Sequence, residues 1–107
     1  MTLTLDICGD KEIQNPTDTD IRQAVSSLDT DKNSAFLVLA TSELTYMQTS
    51  GDKNIGFSLE YQEGNTEHHY QAKRDDFTAE EIIQAMISYC AGSENWKKIS
   101  EWMRIDV

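Results

Sequence analysis

The chain has 107 residues, room for one domain with a core that needs no staples, and its patterned apolar segments (38% hydrophobic residues) argue against disorder. Nineteen acids against nine bases give a net charge of −10 and a pI near 4.4. Such a surface repels phosphate backbones and anionic lipids, which excludes nucleic acid and membrane as principal partners. The same charge steers a basic protein into contact, or, in the blander reading, only keeps the chain dispersed.

The first residues, Met1 to Asp6, offer neither a basic segment nor a long apolar core, so no signal peptide is read. No apolar run nears the ~20 residues that span a bilayer. A cytoplasmic location is the expectation. Thr2 to Ile7 alternates through Leu3, Leu5 and Ile7 and predicts a strand, broken at Cys8-Gly9-Asp10. Asn15-Pro16-Thr17-Asp18 opens a helix, with Thr17 or Asp18 able to cap it. Ile21, Ala24, Val25 and Leu28 form its apolar stripe, and the polar run Asp29 to Ser34 ends it.

Phe36 to Ala40 is continuously apolar and predicts a strand covered on both faces. Leu44 to Thr49 follows as a strand, with Met47 facing away from Leu44 and Tyr46, and Ser50 to Asn54 as a turn. Phe57, Leu59 and Tyr61 give the next strand its apolar face, with Ser58, Glu60 and Gln62 opposite. Glu63-Gly64-Asn65-Thr66 closes a hairpin onto Glu67 to Lys73, with His68, Tyr70 and Ala72 on one side. Thr78-Ala79-Glu80-Glu81 is a capping box, Phe77 can staple onto Ile82, and Ile82, Ile83, Met86, Ile87 and Cys90 make the stripe of a helix stopped at Gly92. Trp96, Ile99 and Trp102 recur at helical spacing within Glu94 to Met103, predicting a short last helix.

The expected fold is α+β: one domain, 1–107, with a mainly antiparallel sheet of about five strands. The chain order is β-α-β-β-β-β-α-α, with helices on one sheet face. The other face is left to solvent or to a partner.

Catalytic signatures are missing. His68 and His69 are adjacent on a strand and point to opposite faces, so they cannot chelate one ion; a histidine beside Glu60 or Glu67 is the better reading. No metal and no cofactor are expected. The carboxylate pairs Asp75-Asp76 and Glu80-Glu81 complement a helix dipole without invoking catalysis. Glu60 and Glu63 could form an acid/base pair, but no nucleophile triad or phosphate loop accompanies them. Asp29-Thr30-Asp31-Lys32-Asn33 lacks the glycine and closing glutamate of a calcium loop. Trp96 and Trp102 read as core before interface, and Lys97, Lys98 and Arg104 as complements to a helix end. Cys8 and Cys90 lack metal or redox spacing, and free buried thiols in a reducing compartment are expected, with a disulfide left open. The chain reads as a binding module and not an enzyme.

Phe36-Leu37-Val38-Leu39, Tyr46-Met47-Gln48, Leu59 to Gly64, His69-Tyr70, the Glu80 to Ile83 helix and the Trp96 to Trp102 tail form a layout through most of the chain. This layout resembles small immunity proteins of bacterial polymorphic-toxin and contact-dependent inhibition systems, the α+β type encoded beside deaminase or nuclease toxins. The resemblance implies inhibition by stoichiometric binding at the toxin's active-site region. The partner would be a basic, nucleic-acid-acting toxin, and the acidic chain would mimic phosphate in its groove. It carries no residue-level interface. Exposure and charge instead nominate Glu60, Gln62, Glu63, Glu67, His69 and Asp75 as partner contacts, against the alternative of a plain polar sheet face. A rival reading is an acidic secretion chaperone or adaptor for an effector, dimeric and with an apolar groove. A small-ligand or enzymatic domain with a pocket between sheet and helices is another. Monomer and homodimer both stay open, since an edge strand could pair with its copy.

Overall fold

The computed structural model describes residues 3–29 and 35–106. Thr2 and the polar run 30–34 of the sequence reading lie outside them. Strand β1 (Thr4–Ile7) buries Leu5 and turns back at once onto β2 (Lys11–Gln14). The turn is closed by the Asp10 amide on Ile7 O at 3.0 Å, with Cys8 and Gly9 both at left-handed φ (57° and 71°). The break expected at Cys8-Gly9-Asp10 is therefore a hairpin turn.

Helix α1 (Asp18–Ser27) starts on a reciprocal cap: Thr17 Oγ1 accepts from the Asp20 amide at 3.2 Å, and Asp20 Oδ2 accepts from the Thr17 amide at 2.9 Å. Its stripe Ile21, Ala24 and Val25 is buried, as is Leu28 just beyond it. Three long strands follow: β3 (Phe36–Ser42), β4 (Thr45–Asp52) and β5 (Gly56–Gln62). A 3-10 turn (Thr66–His68) leads into β6 (His69–Ala72). Helix α2 (Ala79–Cys90) carries the second capping box, from Thr78 to Glu81. A 3-10 helix (Asn95–Ile99) and a short strand β7 (Trp102–Arg104) complete the described fold.

The described residues form one seven-stranded antiparallel sheet in the order β2-β1-β3-β4-β5-β6-β7. The α+β class holds, with more strands than the five expected. The two additions, β2 and β7, are the short edges. The expected last helix divides into a 3-10 turn and edge strand because Ser100 is extended (φ −155°) and the Lys73 amide bonds Glu101 O at 2.9 Å. Two turns also move: β4 runs on to Asp52, and β6 begins only at His69, leaving His68 exposed in the 3-10 turn.

Leu5, Leu37, Leu39, Met47, Leu59 and Phe57 point to one sheet face and join Ile21, Val25, Ile82 and Met86 in a single core cluster. Burying a side chain of this size contributes about 1.5–3 kcal/mol each. Phe77 ties α2 to the sheet through a two-bond bridge to Phe57 (3.0 and 3.1 Å), with the Arg74 guanidinium 4.3 Å over its ring. Among the described residues no helix covers the opposite face, so Phe36, Val38 and Ala40 are only half-buried, not enclosed as their apolar run predicts. No disulfide joins Cys8 and Cys90; burial, with Asp18 nearby, pushes the half-buried Cys90 thiol up. No described helix is long and apolar enough to cross a membrane.

Candidate partner-binding face

Strand alternation puts every second side chain on the uncovered face. The register lines up Glu12, Asp6, Val38, Gln48, Glu60, Gln71 and Met103 in one row across all seven strands. At the usual strand spacing this row is roughly 29 Å long. A second row beside it runs through Thr4, Ala40, Tyr46, Gln62 and His69.

Where β4, β5 and β6 meet, these rows enclose a polar knot. Gln62 Nε2 donates to Leu44 O at 3.1 Å, which leaves Gln62 Oε1 as an acceptor. His69 Nδ1 lies 3.0 Å from that oxygen. The Tyr46 hydroxyl donates to Gln62 Oε1, at 3.4 Å. His69 Nε2 and Glu60 Oε1 share a further hydrogen bond of 2.9 Å. Burial, aided by the Glu60 charge, raises the Tyr46 hydroxyl above its ordinary value. The knot fixes the Glu60 carboxylate at the surface, where its side chain keeps 22% of its exposure.

The six nominated contacts divide. Gln62 and His69 are 2% and 3% exposed, which corrects the exposure assigned to them. They lie behind Glu60 as supports because the Gln62↔His69 pairing turns each onto the other. Glu63 is exposed at the end of β5 but bound to Lys97 at 3.1 Å. Glu67 is exposed in the 3-10 turn, where its carbonyl accepts from Arg104 at 3.2 Å. Asp75 is exposed at the opposite end of β5, beside Gly56. The sheet thus gathers Glu60, Gln62 and His69, sets Glu63 and Glu67 on one rim, and separates Asp75 from them.

The face also enlists Asp6, Glu12, Gln48 and Gln71, which the sequence reading passed over. Alternation opposite Leu5 and Met47 was the signal for Asp6 and Gln48. Glu12 needed the unrecognised strand β2.

The carboxylate pairs near α2 are structural. Asp76 holds Arg74 at 2.7 Å, Glu81 holds it at 3.0 Å, and Glu80 meets Arg22 at 3.2 Å. Trp96 is buried and Trp102 half-buried, their rings 5.9 Å apart, as the core reading expects. Lys97 and Lys98 stand in the last turn of the Asn95–Ile99 helix, and Lys97 is also held by Glu63 and Glu94. Among the described residues no group of three or more His, Cys, Asp or Glu is placed to hold a metal ion. Comparison with protein-family models, curated proteins and solved structures finds no match. The functional reading therefore rests on this geometry and on the sequence layout.

Proposed function

We propose that this chain is an antitoxin-like immunity protein that neutralises a cognate bacterial toxin by binding its active-site region. The observation that carries the reading is the uncovered sheet face. It sets the carboxylates of Asp6, Glu12 and Glu60 in one row, in a chain of net charge −10. A sheet held by seven paired strands is rigid, so little ordering entropy is lost on docking. A row of carboxylates answers the basic groove of a nucleic-acid-acting toxin and raises the rate of encounter. Amides at Gln48, between the acids, and at Gln71, beyond Glu60, supply hydrogen bonds without further charge. In this reading the chain is a stoichiometric inhibitor, not an enzyme, and acts in the cytoplasm where the toxin would do its damage.

The test is capture of the tagged chain with its bound protein from its native cell, at low and high salt. The expected result is one basic protein at one-to-one stoichiometry, weakened by salt, whose nucleic-acid chemistry stops when the chain is bound. A captured protein whose activity is unchanged by the chain would overturn the reading.

One observation favours the chaperone reading instead. A groove of about 450 Å³ between α2 and the Asn95–Ile99 helix is lined by Ala85, Trp96 and Ile99. An effector segment could lie there, and sedimentation as a homodimer carrying such a segment would support it.

A further inference from the structure

A second cavity, about 560 Å³, opens between the C-terminal end of α2 and the neighbouring ends of β4 and β5. Its walls include the rings of Tyr61, Tyr89 and Trp96 and the carboxylates of Glu63 and Glu94. Trp96 stands edge-on to Tyr61 at 4.8 Å and tilted to Tyr89 at 5.6 Å, so the three rings make one connected wall. A cation already sits on that wall. Lys97 Nζ lies 5.3 Å from the Tyr61 ring centre and 5.4 Å from that of Trp96, and it bonds Glu63 at 3.1 Å and Glu94 at 3.3 Å. Burial pulls this ammonium down, but the bonds to Glu63 and Glu94 outweigh it and hold the group above its ordinary value.

The arrangement therefore selects for positive charge, and its own lysine does not exhaust it. Two carboxylates share one ammonium, so one negative charge is left at a cavity lined by Tyr61, Tyr89 and Trp96. Aromatic faces and carboxylates together hold organic cations better than either alone. We propose that this cleft is a binding site for a lysine or arginine side chain presented by a basic polypeptide. The site adjoins the sheet face through Gln62 and Glu63, but it is made by its own rings and acids. An incoming cation would share Glu63 and Glu94 with Lys97 or displace it.

The test uses the whole chain and a small probe, N-acetyl-lysine methylamide, followed through the indole N–H signal of Trp96 by NMR. The Nε-acetylated form of the same probe is the uncharged control. The expected result is a saturable shift with the charged probe. Binding should weaken about tenfold in Glu94→Gln and tighten about tenfold in Lys97→Met, which vacates the wall. Glu94 is exposed and makes no side-chain cap bond, and the half-buried Lys97 is replaced by an unbranched apolar side chain, so both variants are expected to fold, which thermal unfolding checks. Equal shifts with the acetylated control would reduce the cleft to an apolar cavity and overturn the proposal. So would the lack of a saturable shift in both the parent chain and Lys97→Met.

Discussion

His69 Nε2 lies 2.9 Å from Glu60 Oε1, and this bond turns a residue of the sheet's interior into the anchor of a carboxylate on its surface. The other ring nitrogen is held by Gln62, itself fixed to Leu44 O. The imidazole therefore has one orientation. Its burial at 3% exposure means that nothing else can replace the bonds it makes.

Removing His69 should cost more than its volume suggests. His69→Ala leaves a hole and removes the 3.0 Å partner of Gln62 Oε1, so a loss of about 2–4 kcal/mol in urea unfolding is expected. A double-mutant cycle with Glu60→Gln should return a coupling of about 1–3 kcal/mol. Strictly additive effects would mean that the 2.9 Å contact does not position Glu60.

The acid side of the pH–stability profile should trace to the Arg74 cluster. The Thr78 amide first, and the Arg74 guanidinium after it, hold the Glu81 carboxyl below its ordinary 4.5, against the opposing effect of burial. Arg74 likewise holds Asp76 below 3.8. Carboxyls depressed in the folded state contribute stability above their unfolded values and lose it as pH falls through the folded ones. Glu81→Gln keeps a side chain that can complete the capping box but has no charge. Its urea midpoint should fall below the parent's near pH 7, and the gap should shrink as pH drops below 4.5 and close once the folded carboxyl is protonated. A gap of constant size across that range would place the effect in packing.

Gly51 and Gly92 both have positive φ, 127° and 75°, yet alanine should affect them differently. A Cβ at Gly51 would collide with Gly56 O across the β4–β5 pair, while at Gly92 it would meet nothing within 4 Å. Gly92→Ala should cost about 1 kcal/mol, the strain of left-handed backbone alone. Gly51→Ala should cost at least about 2 kcal/mol more, because two backbones must separate. Thermal unfolding of the pair checks this, and similar Tm values would contradict it.

Local chemistry was the legible part of this sequence. Thr17 after Pro16, and Thr78 with Glu81, announce helix starts because a cap is made by residues within one turn of each other, although the sequence reading passes over the Asp20 half of the first cap. Leu59 and Tyr61 declare their face because alternation is a near-neighbour property. The edge strands carry no such signal. Lys11 to Gln14 is three-quarters polar, as edges often are, and Cys8 is an unusual residue for the left-handed turn before it. Trp96 and Trp102 are neighbours, but by packing on Tyr61 from a turn and a strand, not by helical spacing. The burial of His69 depends on which residue of β5 faces it, and register is a property of the whole sheet.

The measurement that bears most directly on the proposed function compares two variants with the same charge change on opposite layers. Gln48→Lys puts a positive charge in the middle of the outer row, and Gln23→Lys puts one on the exposed side of α1. Both would be titrated against the captured partner at one salt concentration. Docking on the sheet face is expected to weaken binding about tenfold or more in Gln48→Lys and less than about twofold in Gln23→Lys. Equal losses would mean that net charge and not this face governs association, and a loss confined to Gln23→Lys would place the partner on the helices.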